Sequence, residues 1–304
     1  LSSANANVAQ QDQLKAIHQS THQDNLVKMA WRALLRHRSG LTGLLIIVFM
    51  AAVALFAPLL APFDALEMHP PDRLQAPSAT YLFGTDEFGR DILSRVLMGA
   101  RLAFTVGMVS IGIATIFGVV TGLVAGYVEG LFDSVTMRFF DALLAFPVIL
   151  LAIVILAVLG PGSFNAILAI AIVNIPAFAR LTRANVLVEK NKDYVEASKA
   201  VGAKPGRIIF RNILPNVVST ILVQITVSMA AAVLLESALS FLGLGTPLPA
   251  PSWGSMLSIG RGYLQFAPWY GIFPGLAITL LVMGFYLLGD GLRDALDPRR
   301  QKQI

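Results

Sequence analysis

The chain has 304 residues, of which 56% are hydrophobic and 13% are charged, where soluble domains carry about 25% charged residues. With a mean hydropathy of +0.69 and no cysteine, it reads as a membrane protein without disulfide or thiolate chemistry. His18, His22, His37 and His69 all lie outside the apolar runs, so no metal site is expected, and the net charge of +5 is spread along membrane-flanking segments rather than in a nucleic-acid-binding patch.

Residues 1–27 are rich in Gln, Asn and Ser and are expected to be disordered. "MAWRALLRHR" follows. It places Trp31, Leu34 and Leu35 on one helical face beside Arg32 and Arg36, which fits either a helix on the inner leaflet or a positive anchor for the first span. Nothing before Leu41 looks like the apolar core of a cleavable signal peptide, so the first span is expected to stay as an anchor.

Six runs reach the roughly 20 apolar residues needed to cross a bilayer. They lie at 41–62, 102–127, 139–160, 164–185, 217–243 and 271–290. Backbone groups have no partners in lipid, so each is predicted to be a helix. The loop 63–101 is Pro-rich early and ends in "RDILSRVLMGA". There Ile92, Leu93, Val96 and Leu97 form a stripe that predicts an interfacial helix leading into the second span. That span carries Ala114, Gly118, Gly122 and Gly126, each four apart, a spacing that lets another helix pack closely. In the third span, Arg138 and Asp141 are three apart and are expected to pair along one helix face. In the fourth, Asn174 precedes Pro176 by two and is expected to satisfy backbone groups freed by a kink.

Between the fourth and fifth spans lies a basic insert, 186–216, containing "DYVEASKAVGAKPGRIIFRNILPN". Asp193 followed by Glu196 suggests a capping box, with a helix from Tyr194 to about Val201. Gly202 suits a left-handed stop, Pro205 suits the first turn of a second helix, and Pro215 is expected to discourage its continuation. Ile208, Ile209 and Ile213 give that second helix an apolar stripe. A merely solvated loop has no need of this start, stop and stripe. A DNA-reading helix pair has no room beside the bilayer. A docking element for a cytoplasmic partner fits best, with Ala197, Ser198, Ala200 and Val201 small enough to enter a groove.

In the fifth span Gln224 and Ser228 share a face and either line a passage or bond between helices, while Thr226 points elsewhere. Glu236 has no basic residue within a turn; it is either a passage carboxylate, a group hydrogen-bonded to a neighbouring helix, or an acid that burial keeps protonated. The loop 244–270 and the tail 291–304 complete the chain. With the N-terminus inside, 18 of the 23 Lys and Arg residues fall on the cytoplasmic side and five outside. Both termini (1–40 and 291–304) and the insert are therefore expected in the cytoplasm, flanking a permease domain over 41–290.

The insert resembles the EAA loop of ABC importer permeases. Glu196, Ala197, Gly202, Leu214 and Pro215 match that pattern, while Ser198 stands where the family has Ala and Asn212 where it has Ile. "FGTDEFGRDILSRVLMGARLAF" and "LSFLGLG…PSWGSML…FPGLAI…LGDGLRDALDPR" resemble the peptide/nickel branch, specifically the C-type subunit of dipeptide and oligopeptide importers. The resemblance covers nearly all of the chain after its first 30 residues. It implies an all-α, six-span subunit of the bacterial inner membrane, paired with a homologous second permease. It further implies two ATPase subunits holding ATP-Mg, an extracytoplasmic binding protein and a peptide substrate. The coupling residues would be Asp193, Glu196, Ala197, Ser198, Gly202, Pro205, Leu214 and Pro215. The chain has no G-x-x-x-x-G-K-[ST] phosphate loop, so neither catalytic residues nor a cofactor are expected in it. Glutathione or a nickel chelate is the alternative substrate within the family. An ion-coupled transporter is the alternative from another class, and it would need a chain of intramembrane acids that Glu236 alone does not supply.

Overall fold

The computed structural model describes residues 38–296. The expectations for residues 1–27 and for the helix around Trp31 lie outside them. Among the described residues the fold is helical, with a single isolated bridge between Thr85 and Asp91. In order, the helices are α1 (Arg38–Leu60), α2 (Ile92–Val128), α3 (Gly130–Leu144), α4 (Val148–Leu159), α5 (Ser163–Glu189), α6 (Asp193–Ala200), α7 (Leu214–Phe241), α8 (Trp253–Gly260) and α9 (Trp269–Leu296).

Five stretches (α1, α2, α5, α9 and the run Pro205–Phe241 that includes α7) are each long and apolar enough to cross a membrane. A sixth crossing exists if α3 and α4 count as one span, and they meet at 96°. The third span expected over 139–160 is thus interrupted, and its helical part begins earlier, at Gly130. Pro147 lacks an N–H and disfavours helical geometry at Phe146. The helix accordingly stops at Leu144 and restarts at Val148 with Pro147 at its cap.

The interfacial helix expected before the second span is also corrected: α2 runs unbroken through both segments. Asp91 caps it, accepting from the Ser94 amide at 2.8 Å and from the Ser94 hydroxyl at 2.6 Å. Ile92 and Val96 from the predicted stripe are buried with Met256 and Tyr270, so that face meets protein rather than the membrane surface.

Helix α2 forms the centre of the core and packs along α5, while α9 packs on α1 and α7. The small-residue ladder makes the α2–α5 contact. A Cβ on Gly118 would fall 2.5 Å from Phe178 Cβ, and one on Gly122 would fall 2.5 Å from the Ala179 carbonyl oxygen. Gly126 meets Val186 in the same way. Side chains at these positions would force the two backbones apart and forfeit the dispersion contacts of the whole seam.

Within α5, Asn174 donates to the Ile170 carbonyl at 2.8 Å. The carbonyl that Pro176 leaves without its usual donor belongs to Ile172, four residues back, so Asn174 does not repair the proline gap as expected. Helix α9 continues to Leu296, past the predicted end of the last span at 290.

The loop joining α1 to α2 folds over one end of the bundle around charged groups. Asp86 accepts from the Phe88 amide at 2.8 Å, the Arg90 amide at 2.9 Å and Arg90 Nε at 2.6 Å. Arg95 donates to the Ala65 carbonyl at 3.0 Å, and its Nε lies 3.6 Å from Asp86. Trp253 of α8 reaches across to the Val96 carbonyl at 2.9 Å, and Phe83 stacks on Phe273 of α9 at 3.8 Å.

Candidate functional site

Two features at one end of the bundle are candidates, a helical hairpin at residues 189–216 that is rooted in the core through Val195, Ile208 and Ile213, and a polar cleft. Helix α6 starts at Asp193 with Lys192 at its cap and no side-chain capping bond, so the predicted capping box does not form. Asp193 and Glu196 lie instead in the first helical turn, where carboxylates favour the positive end of the helix. The stop is as predicted: Gly202 has φ +78°. Its amide bonds to the Lys199 carbonyl at 2.9 Å and the Ala203 amide to the Ser198 carbonyl at 3.1 Å, a Schellman ending. Pro205 opens the next turn, Pro205–Arg207.

Pro215 does not end the second arm. Residues Ile208–Ile213 adopt a π-helix, with the Leu214 amide bonded to the Ile209 carbonyl, and α7 follows directly. The wider turn makes room for the proline ring at the point where its missing N–H breaks the regular ladder. The second arm of the hairpin is therefore the root of the fifth long helix. Ile208 and Ile213 are buried, Ile209 and Leu214 pack against the core, and Pro215 is half-buried.

Of α6 only Val195 is buried. Glu196, Ala197, Ala200 and Val201 are exposed, Val201 to 85%, while Ser198 is half-buried. Polar ties hold the helix. Asn212 donates to the Ser198 hydroxyl at 2.7 Å, and Ser198 donates to the Tyr194 carbonyl at 2.9 Å. The Tyr194 hydroxyl donates to Glu189 at 2.7 Å and accepts from Asn216 at 3.2 Å. Desolvation, and after it the Glu189 carboxylate, pushes the Tyr194 phenol above its ordinary pKa, so it stays a donor at neutral pH. The two positions that differ from the EAA pattern, Ser198 and Asn212, thus bond to each other. No pairwise signal in one sequence announces that.

The cleft lies between α3, α5 and α7, holds about 630 Å³, and is lined by Asp141, Leu144, Arg180, Leu181, Ala184 and Gln224 among others. The expected Arg138–Asp141 pair is not formed. Arg138 is exposed, and Asp141 faces Arg180 of α5 at 3.5 Å. The bend after Leu144 leaves α3 alongside α5, so pairing runs between helices rather than along one. Arg183, three residues further on, clamps Asp133 with Nε at 2.5 Å and Nη2 at 2.6 Å. Lys190 meets Glu129 at the same end.

Gln224 donates to Ser228 at 3.1 Å, and Thr226 bonds back to the Val223 carbonyl at 2.7 Å. Glu236 is elsewhere on α7. It is 2% exposed and accepts from the Ser240 hydroxyl at 2.7 Å. That hydroxyl also receives the Thr246 amide at 3.3 Å. The structure brings Gln224 to the cleft with Arg180 and Asp141, buries its partner Ser228, and keeps Glu236 apart. Among the described residues no group of acids and histidines is placed to hold a metal ion.

Residues 118–302 match the family described as binding-protein-dependent transport system inner membrane component. Residues 25–77 match the N-terminal TM domain of oligopeptide transport permease C. The chain is 50% identical over 270 residues to the dipeptide transport system permease protein DppC of Alkalihalophilus pseudofirmus, covering 89% of each chain. It is 45% identical over 279 residues to the di/tripeptide transport system permease protein DppC of Pseudomonas aeruginosa, covering 90% of this chain and 92% of that one. It is also 45% identical over 270 residues to the glutathione transport system permease protein GsiD of Pectobacterium atrosepticum, covering 88% and 90%. Among solved structures, a chain of the inward-facing MetNI methionine ABC transporter matches with a TM-score of 0.55 at 19% identity, over 66% of this chain and 96% of that one, a likeness of fold. A helical bundle with several membrane-length spans, matched over more than half its length, thus identifies a multi-pass inner-membrane transport permease rather than an enzyme: the chain belongs to the family of binding-protein-dependent transport system inner membrane components.

Proposed function

We propose that this chain is the C-type permease subunit of an ATP-driven importer of dipeptides and oligopeptides. The observation that carries the substrate class is the 50% identity over 89% of the chain to a permease of a dipeptide system. In this reading α3 and α4 together form the third of six spans, and both termini lie in the cytoplasm with the hairpin. The hairpin inserts α6 into a groove of an ATPase subunit, offering Asp193, Glu196, Ala197, Ser198 and Gly202. Pro205, Leu214 and Pro215 carry the load into the fifth span. A homologous second permease completes the passage, two ATPase subunits supply ATP-Mg hydrolysis, and an extracytoplasmic binding protein delivers the peptide. Gln224 and Ser228 line the hairpin-side half of the passage.

The continuity of Pro205–Phe241 supports this transmission, because a push on α6 acts on the root of a helix that runs the depth of the bundle. Glutathione is a second substrate reading, favoured by the 45% identical relative from a glutathione system. The test is uptake into lipid vesicles holding the complete transporter, with the binding protein and ATP. Labelled dipeptide should accumulate and unlabelled glutathione should compete poorly. Accumulation of glutathione without dipeptide would reverse the order of the two readings.

A further inference from the structure

Two arginines sit three residues apart on α5, and the structure treats them differently. Arg183 is locked on Asp133 by two short bonds. Arg180 is 58% exposed, its partner Asp141 is 59% exposed, and the nearest N–O approach is 3.5 Å. That is well beyond the roughly 2.7–2.9 Å of a close charge-assisted bond, and an exposed pair of this kind is weakly held.

Their depth is informative. Arg180 is nine residues from Glu189 at the end of α5, and Gln224 is ten residues from Leu214 at the start of α7. Both helix ends meet at Tyr194. At 1.5 Å per residue, both side chains lie roughly 14–15 Å in from the hairpin root. The fourth span expected over 164–185 contains Arg180, and a guanidinium and a carboxylate within a span are costly to face lipid. They instead line a concave space of about 630 Å³, within the range of roughly 300–1,000 Å³ typical of small-ligand sites. A loosely paired cation, an anion and an amide thus converge from three helices on a volume that no side chain among the described residues fills.

We propose that Arg180 contacts the substrate in this half of the passage, taking the terminal carboxylate of the passing peptide in exchange for Asp141, with Gln224 as a supporting amide. This rests on the peptide reading above. A planar guanidinium donates two parallel hydrogen bonds to a carboxylate. Asp141 keeps it compensated when no peptide is present and returns to it when the peptide leaves. Such exchange suits transport, in which a ligand must be held and released.

The test uses the complete transporter in lipid vesicles with binding protein and ATP. The probe is a dialanine analogue with a diazirine on its carboxyl-terminal residue. In the parent, light should attach the probe to Ala177, Leu181 or Ala184. Arg180→Gln should abolish that labelling and lower peptide moved per ATP hydrolysed about tenfold, the scale of one lost charged hydrogen bond. Asp141→Asn frees the guanidinium and should increase labelling, whereas a purely structural clasp predicts that both variants fall together. If Arg180→Gln fails to assemble, Arg180→Lys carries the test, since it keeps the charge without the fork and should label at an intermediate level. No labelling of the cleft in a peptide-importing parent, parental uptake by Arg180→Gln, parental labelling by Arg180→Lys, or parallel losses in Arg180→Gln and Asp141→Asn each overturn the proposal. A parent that imports no peptide at all overturns the substrate reading itself.

Discussion

At the end of the bundle built from residues 61–91, Asp86, Arg90, Asp91 and Arg95 are buried, and Asp86 and Arg95 expose none of their side chains. At the hairpin end, α6 buries only Val195, leaves Val201 85% exposed, and is tied down by amide and hydroxyl bonds, one of them to the Glu189 carboxylate. Buried charge is expensive unless every member is paired, so the first region tolerates little change within this chain. The second carries small exposed side chains with no internal partners, which is what a surface completed by another subunit needs. Charge that is buried here fixes the fold. Charge and apolar surface left open mark where other molecules are expected.

The largest expected effect comes from breaking the buried end. Asp86→Ala leaves the Arg90 and Arg95 guanidiniums without their shared carboxylate, and loss of one partner of a buried pair costs about 3–5 kcal/mol. We expect much lower membrane abundance and an earlier thermal transition of the purified complex. Wild-type abundance with an unchanged transition would mean that the Asp86 cluster is not what holds residues 61–91 in place.

A change at the other end should spare the fold and damage the assembly. Gly202 has a positive φ, and a Cβ there would meet nothing within 4 Å. Gly202→Trp therefore carries only the left-handed cost of about 1–2 kcal/mol inside this chain, while its ring projects where the ATPase is proposed to sit. We expect normal membrane abundance, weak retention of the ATPase and little uptake. Retention and uptake like the parent's would remove the docking role from residues 193–216.

Much of this contrast was legible in the sequence, and the rest had physical reasons to stay hidden. Five of the six helix-length apolar runs, the Gly118–Gly122–Gly126 ladder and the Gly202 stop are local signals, and each appears where expected. The break at Pro147 and the passage of the helix through Pro215 are two outcomes of the same residue type. A π-turn precedes Pro215 and a helix break precedes Pro147, a difference of surroundings that composition does not announce. The pairing of Asp141 with Arg180 and of Asp133 with Arg183 joins residues far apart in the chain, so no helical spacing rule reaches it. The buried end was missed for the same reason. Its charges look like an ordinary external loop until Trp253, Tyr270 and Phe273 arrive from the far end of the sequence.

Glu236 tests whether a buried carboxyl group on α7 belongs with the first region or with the passage. Glu236→Gln keeps an oxygen for the Ser240 hydroxyl and removes the ionisable group. If the residue serves this chain's own packing, uptake of a free-amine dipeptide and of its amine-blocked twin should change by the same factor, within about twofold. A selective loss of the free-amine peptide would place Glu236 in the passage.

The smallest effect concerns the paired departures at Ser198 and Asn212. Ser198→Ala alone strands the Asn212 amide, and Asn212→Ile alone removes the donor to a Ser198 hydroxyl that keeps its bond to the Tyr194 carbonyl, so each should cost up to about 1 kcal/mol of local stability. The double variant restores the Ala and Ile of the EAA pattern and exchanges a polar tie for an apolar contact. It should therefore lose less than the two single losses combined, with a coupling of at least about 0.5 kcal/mol. Amide hydrogen exchange across residues 193–201 in the assembled transporter reads this directly, because α6 is short and depends on its ties to stay folded. The single variants should exchange faster there and the double should return toward the parent, with residues 61–91 unchanged in all three. Strictly additive losses would mean that the Ser198–Asn212 bond, although 2.7 Å long, does not brace the helix, and that Tyr194 with Glu189 and Asn216 carries that role alone.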